Sequence, residues 1–279
     1  MSRIDLHIHT SASDGTLSPG ELIHEVKDNN IEIFAIADHD SIDSLAQVSS
    51  LSLKNSLKFI PAAEISAFYK GKVFHILSYG CDFNSEYIKE LLEYNQDIWA
   101  SIDIKRVEWV SKNDWRTNLK EFEKYTYDNT RGGWRSLNYM IDKGIIENMQ
   151  QYFNMYSDFV MDKTFSPLEE VLSAVKDAGG APFLAHPAYS KDKNAQFMSI
   201  NLLNDLFKCG IVGIECYNIY NESKLEEQYY LAYAKEKNLF ISGGSDYHGK
   251  FISERKIGVP YITTDMLGSN WFNEYIISN

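Results

Sequence analysis

Nine residues of this 279-residue chain, each an imidazole or a carboxylate of the kind that holds zinc, iron or manganese, fall in short clusters. His7 and His9 stand in D-L-H-I-H, Asp14 in S-D-G and His39 in D-H-D. Glu64 follows in A-A-E-I-S, His75 in V-F-H-I-L, His186 in L-A-H-P, and Asp246 and His248 in S-D-Y-H. Most of these sit where an apolar run gives way to polar residues, which places them at strand ends. Residues two apart in a strand face the same side, about 6.6 Å apart along the axis. His7 and His9 therefore point together, and their rings can converge on one ion. Taken singly, each has a plainer reading: His75 as a core residue with a satisfied ring, Asp14 as a turn former. Six of the chain's 7 histidines in one such set point instead to a multinuclear metal site. The seventh, His24, lies inside a helix pattern and reads as a surface residue. Carboxylates often hold a ligand imidazole by its second nitrogen. That role is expected for Asp38 and Asp40, which flank His39, and less for Asp5.

The elements that must position these residues alternate. Arg3 to Ile8 reads as a strand, and Ser18-Pro19-Gly20-Glu21 starts a helix running to about Lys27. A strand at Ile31 to Ala37, a helix at Ile42 to Leu53 and a strand at Leu57 to Ala63 follow. Lys72 to Tyr79 is a strand paired with Ile65 to Tyr69 through the Lys70-Gly71 turn. From about Asn84 to Lys163 the sequence turns charged and aromatic with helical periodicity. Glu86 to Lys112 reads as one long helix or two, and Arg135 to Lys143 as a helix capped by Gly144. Alternation resumes with helices at Leu168 to Ala178, Ser199 to Lys208 and Glu222 to Lys237. Strands at Ala181 to Ala185, Val212 to Cys216, Leu239 to Ser242 and Ile257 to Tyr261 accompany them, and a C-terminal helix closes the chain. Repeated βα units imply an α/β fold with a parallel sheet, open or closed into a barrel.

Composition is that of a soluble globular protein, with 44% apolar and 24% charged residues. No apolar run approaches the roughly 20 residues of a membrane span, and the N-terminus lacks a signal-peptide layout. A cytoplasmic location without membrane partners is the default expectation. A net charge of −12 argues against an extended nucleic-acid surface. It permits a small phosphorylated substrate, since bound cations can supply local positive charge. Cys81, Cys209 and Cys216 show no paired spacing and read as free thiols.

Order and spacing of D-L-H-I-H-T-S-A-S-D-G-T-L-S-P, A-I-A-D-H-D-S, P-A-A-E-I-S, H-I-L-S-Y, L-A-H-P and G-G-S-D-Y-H resemble the PHP (polymerase and histidinol phosphatase) superfamily. The resemblance is strongest to its stand-alone bacterial phosphoesterases that act on nucleotides and short oligonucleotides. It implies a distorted (β/α)7 TIM-like barrel built from residues 1–83 and 164–279. Residues 84–163 correspond to a helical insertion that serves as a substrate-specificity subdomain. It also implies two to three divalent transition-metal ions. His7, His9, Glu64 and Asp246 would hold one, Glu64 would bridge to a second held by His75 and His186, and Asp14, His39 and His248 would hold the third. Three such ions with three carboxylates and one hydroxide leave a charge of about +2, which complements a phosphate dianion.

The reaction expected is attack of a metal-activated hydroxide on phosphorus, in line with the ester oxygen. His186 and Asp246 are the residues expected to take part in the chemistry, with His186 or a metal-bound water protonating the leaving oxygen. Substrate contacts are expected from the insertion, where Asn129-Thr-Arg-Gly-Gly-Trp-Arg135 offers flexible backbone, Arg131 and Arg135 for phosphate, and Trp134 for a base. Lys250 and Arg255 are further candidates for phosphate. Nucleotide-active relatives commonly carry an Arg-x-His near this point, whereas 84–163 contains no histidine, which counts against a specific nucleoside 3′,5′-bisphosphate activity. The competing readings are a histidinol-phosphate phosphatase, a non-catalytic PHP interaction module, and an amidohydrolase-type enzyme. The last commonly relies on a bridging lysine, and no Lys stands at a comparable strand end.

Overall fold

The computed structural model describes residues 1–155 and 163–277. Residues 156–162 of the expected insertion and the last two residues, 278 and 279, lie outside the described residues. The strands are β1 (Arg3–Ile8), β2 (Ile33–Ile36), β3 (Lys58–Tyr69), β4 (Lys72–Tyr79), β5 (Ala181–Leu184), β6 (Gly213–Tyr217), β7 (Phe240–Gly243) and β8 (Ile262–Thr263). They form one sheet in the order β7-β6-β5-β4-β3-β2-β1-β8. β1, β2, β3, β5, β6 and β7 run in one direction, while β4 is antiparallel to both neighbours and β8 antiparallel to β1. The chain just after β7 returns to the end of β1, where Ile8 bridges Tyr247 in parallel and His9 N donates to Tyr247 O at 2.9 Å. The sheet is thereby nearly closed, and the distorted α/β barrel expected from the sequence is borne out.

Helices α1 (Pro19–Asp28) and α2 (Leu45–Lys54) follow β1 and β2. Ser18 and Glu21 cap α1 reciprocally, the arrangement that S-P-G-E encodes. Leu22, Ile23 and Val26 of α1 and Val48 of α2 are buried with Ile8, Phe34, Ile36 and Phe59 of the strands. Between β4 and β5 lie α3 (Glu86–Ser111), α4 (Leu119–Phe122), α5 (Arg135–Asp142), α6 (Met149–Met155) and α7 (Leu168–Asp177); α8 (Ile200–Lys208) and α9 (Lys224–Lys237) complete the set. α3 is a single helix, and its two ends serve different cores. Ile88, Leu91 and Leu92 join the barrel core, whereas Val107 and Val110 join a separate cluster with Phe122, Leu137, Tyr139, Met140 and Tyr152. No helix of the described residues is long and apolar enough to cross a membrane.

Three element assignments change. β3 does not end at Ala63; it continues through Glu64 to Tyr69 because its partner β4 pairs along its whole length, from Ala62–Tyr79 to Tyr69–Lys72. The last strand is Ile262–Thr263 rather than Ile257 to Tyr261. Pro260 lacks a backbone donor, and Gly258 N is engaged by the buried Asp5 carboxylate at 2.7 Å. The expected C-terminal helix is replaced by short 3-10 turns at Thr264–Leu267 and Trp271–Tyr275, separated by Gly268 in the left-handed region.

Barrel closure leaves no room beside His7. A Cβ placed on Gly244 would lie 2.5 Å from His7 N and 2.4 Å from its Cβ. Gly244→Ala should therefore destabilise the protein by about 1–3 kcal/mol through overpacking, measured by chemical denaturation. An unchanged unfolding midpoint would show that the closure is looser than this.

Candidate metal centre

The strand ends deliver a buried cluster around one carboxylate. Glu64 has no exposure, and five imidazoles surround it. Its Oε2 lies 3.1 Å from His7 Nε2, 3.3 Å from His9 Nε2 and 3.2 Å from His39 Nδ1. Its Oε1 lies 3.1 Å from His75 Nδ1 and 2.7 Å from His186 Nε2. His75 reaches this point because β4 is reversed: the register pairs Ser66 with His75, so the early part of β4 sits level with the late part of β3. On the other side of His9, Asp14 Oδ1 lies 3.6 Å from His9 Nδ1 and 3.2 Å from His248 Nε2. All nine expected ligands are thus brought together.

Three groups have donor atoms within 4.8 Å of one another: His7, His9, Glu64 and Asp246; His9, Asp14, His39 and His248; and His39, Glu64 and His75. The first matches the set expected from the sequence. The other two differ in that His9 and His39 stand at the borders between groups, with His186 against the far oxygen of Glu64. Buried Nδ1 atoms of His9, His39, His75 and His186, and Oδ1 of Asp246, make no hydrogen bond. Buried polar atoms are ordinarily satisfied, so this many orphans on the residues of one cluster fits a set of divalent cations.

Electrostatics agree. Burial alone would raise the Glu64 carboxyl, but the imidazoles of His7, His39 and His75 outweigh it and hold the group well below its ordinary value. Burial opposes charge on His9, yet Asp246 and Glu64 lift it to about 10. At His39 burial wins and pushes the ring down to about 3, against Glu64 and Asp14. Protons on His7 and His9 occupy lone pairs for which a cation would compete.

Supporting contacts come from Glu215 and Tyr220, which the sequence did not single out, and from Arg255. Glu215, fully buried on β6, accepts from His7 Nδ1 at 2.9 Å and from the backbone N of His186 at 2.7 Å. It fixes the His7 ring so that Nε2 faces the cluster. Its one signal in the sequence is a lone carboxylate inside the apolar strand G-I-E-C-Y. Tyr220 Oη and Arg255 Nη1 donate to Asp246 Oδ2 at 2.9 and 2.7 Å, leaving Oδ1 turned toward His9 Nε2 at 3.0 Å. Arg255 thus orients a carboxylate rather than standing free for phosphate. His186 and Asp246 have left-handed backbone (φ +23° and +49°), the kind of strain that surrounding structure must impose.

Neither Asp38 nor Asp40 holds a ligand ring, contrary to expectation. Asp38 accepts from Thr10 N, Thr10 Oγ1, Ser13 Oγ and Ser44 Oγ at 2.6–2.7 Å, pinning the loop that carries Asp14. Asp40 accepts from Ser66, from Asn95 Nδ2 at 2.8 Å and from Trp99 Nε1 at 2.9 Å, fastening α3 to the barrel. Asp5 accepts the backbone N–H groups of His7, Ser245 and Gly258. His24 is exposed, as expected.

A cavity of about 360 Å³ opens beside the cluster, with Asp14 and His39 at its inner end and Trp99, Trp134 and Arg135 among its walls. Arg131 is absent from these walls and forms a bidentate pair with Asp142 at 2.8–2.9 Å. The Arg135 guanidinium donates to the carbonyl oxygens of Phe122, Glu123 and Tyr125 and lies over the Phe122 ring. Lys250 lines a separate cleft with Glu25, Tyr247 and Lys256. Arg131 and Lys250 therefore lie away from the cavity, and Arg135 lines it with Nε and Nη2 spent on carbonyl oxygens. The two glycines of Arg-Gly-Gly-Trp are not flexible backbone either: Gly133 N donates to Asp14 O at 2.8 Å, and a Cβ on Gly132 would meet that same oxygen.

The sequence profile of the PHP domain matches residues 5–181, well over half of the chain. The chain belongs to the PHP domain family. This PHP chain is 26% identical to a 5′-3′ exoribonuclease of Haemophilus influenzae over 88% of its own length and 90% of that protein. It is 23% identical to a 3′,5′-nucleoside bisphosphate phosphatase of Chromobacterium violaceum, covering 92% and 91% of the two chains. It is 24% identical to a phosphoribosyl 1,2-cyclic phosphate 1,2-diphosphodiesterase of Eggerthella lenta, covering 88% and 94%. Its fold matches that of a Bifidobacterium adolescentis protein assigned as a metal-dependent phosphoesterase, with a TM-score of 0.78 at 24% identity over 92% and 91% of the chains. The phosphoesterase class expected from the sequence agrees with these relatives.

Glu215→Gln should weaken metal retention or turnover by roughly 10- to 100-fold, as loss of a carboxylate behind a ligand imidazole does. Metal content by elemental analysis, alongside kcat, reads this. Wild-type values in both would remove Glu215 from the site.

Proposed function

We propose that this chain is a metal-dependent phosphoesterase that hydrolyses a small phosphorylated substrate, a nucleotide or the end of a short oligonucleotide, at the Glu64 cluster. The observation that carries this reading is the single buried carboxylate with imidazole nitrogens on both oxygens and unpartnered nitrogens around it. Such a donor set suits two to three ions of zinc, iron or manganese. His7, His9, Glu64 and Asp246 would hold one. Glu64, His75 and His186 would hold a second with His39 at its edge, and Asp14, His39 and His248 a third with His9 at its edge. When bound, the ions polarise phosphoryl oxygens and lower the pKa of coordinated water.

The chain's own residues supply orientation. Glu215 holds His7 with Nε2 inward, and Tyr220 with Arg255 holds Asp246 with Oδ1 inward. A hydrogen bond from His248 Nδ1 to Asp246 O, 2.7 Å long, leaves Nε2 for the Asp14 side. His186 Nε2 faces Glu64, which favours a ligand role over proton donation to a leaving group. Because Asp14 and His39 form the inner end of the cavity, the phosphate approaches from that side, and the remainder of the substrate extends toward Trp99 and Trp134. Residues 84–163 act in this reading as the specificity subdomain, and 1–83 with 164–279 as the barrel that carries the chemistry.

Stripping metal with a chelator should abolish hydrolysis across a phosphoester panel, and one of the three metals added back should restore it. Stability should fall by about 3 kcal/mol relative to protein held near 100 Kd of metal, seen as a lower Tm. Glu64→Gln should lose bound metal, and lose turnover by more than the roughly 100-fold typical of a supporting residue. A metal-replete Glu64→Gln protein with normal turnover would refute the reading.

A further inference from the structure

The cavity beside the cluster has a polar character of its own. Trp99 and Trp134 offer aromatic surface, with ring planes 20° apart and centroids 6.4 Å apart. Trp99 is fixed there by its Nε1 hydrogen bond to Asp40. Wall donors are largely engaged within the protein: Arg135 by three carbonyl oxygens, Tyr127 Oη by Gly133 O at 3.1 Å, and Gln96 Nε2 by Asp40 O at 2.8 Å. Beyond the metal end, the walls also carry two carboxylates, those of Asp43 and Asp103.

Asp103 is the better placed of the two. Asp43 is exposed, whereas Asp103 is half-buried on α3 beside Trp99 and accepts from Ser136 Oγ on one oxygen. An ionised carboxylate offers about four acceptor positions and no donor, so the bonds from Ser136 leave part of its capacity unfilled. Burial raises the Asp103 carboxyl above its ordinary value despite the bonds from Ser136 and the pull of Arg106 and Arg135. A ligand carrying two adjacent N–H donors would supply the missing compensation. A second phosphate in the same place would be repelled by the Asp103 carboxylate.

Resting on the phosphoesterase reading above, we infer that Asp103 is a specificity-determining residue that selects guanine. The base packs against Trp99 and Trp134 while its phosphate reaches the metal end. Guanine presents N1–H and the exocyclic amino group side by side, which matches a carboxylate. Adenine offers one amino group flanked by ring acceptors. Uracil offers one N–H between two carbonyl oxygens that would face the carboxylate.

The test compares kcat/KM for the 3′- and 5′-monophosphates of guanosine, adenosine and uridine in metal-reconstituted wild type and Asp103→Asn. Asparagine preserves an acceptor for Ser136. Guanosine should exceed uridine by roughly 5- to 150-fold, the range a bidentate pair supplies, with the difference in KM, and the ratio should fall toward unity in Asp103→Asn. Equal values for the three bases in wild type would overturn the inference, as would a ratio that survives the substitution. Preference for 2-aminoethyl phosphate or for guanosine 3′,5′-bisphosphate over the guanosine monophosphates would overturn it too. Glycerol phosphate, which carries no base, is assayed in parallel. If wild type turns over none of these and no member of the phosphoester panel, the phosphoesterase reading fails, and quenching of tryptophan fluorescence decides the inference separately. Tighter binding of guanosine than of uridine monophosphate, lost in Asp103→Asn, then sustains it, and equal affinities reject it.

Discussion

Glu64 is a carboxylate with no solvent exposure, and everything near it answers the cost of burying that charge. Five imidazole nitrogens stand on its two oxygens, at 2.7 to 3.3 Å. They cannot all be satisfied by it, since two oxygens do not pair five rings that also face one another. The cluster is overdetermined in donors and short of positive charge, the condition a set of divalent ions relieves. Rings must also be held in a fixed orientation to serve such ions. Glu215 behind His7, and Tyr220 with Arg255 behind Asp246, are that restraint.

The same constraint explains the backbone. Six strands in one direction bring His7, His9, His39, His186, Asp246 and His248 to one end of the barrel. The fifth ring on Glu64, His75, comes from the reversed strand β4, whose early residues lie at that end only because it runs the other way. Gly244 lets the chain after β7 approach β1 closely enough for Asp246 to reach His7 and His9.

The helices between β4 and β5 and the strand-end cluster are built on different cores yet share fastenings. α5, α6 and the far end of α3 pack around Leu137, Tyr139 and Tyr152, apart from the barrel core. Asp40 ties Asn95 and Trp99 of α3 to the turn after β2, and Gly133 N is bound to the carbonyl of Asp14. The cavity wall is therefore positioned by hydrogen bonds to the loops that carry the candidate ligands. Asp40 and Asp38 hold those loops and helices rather than rings, a task that needs carboxylates with several acceptor positions.

The nine candidate ligands were legible in the sequence because metal chemistry restricts residue type and strand geometry restricts spacing, and both restrictions are local. The barrel class followed from alternating patterns, which are also local. Glu215 was hidden because one acid in a strand carries no mark of what lies across the barrel. Arg131 and Arg135 looked like phosphate contacts because a guanidinium in a glycine-rich loop has the right chemistry, but only packing revealed Asp142 and three carbonyls already on them. By itself the sequence determined which groups could bind metal and in what order the strands would present them. Tertiary structure alone decided which atoms converge, because partners far apart in sequence are chosen by the closed sheet and not by neighbours along the chain.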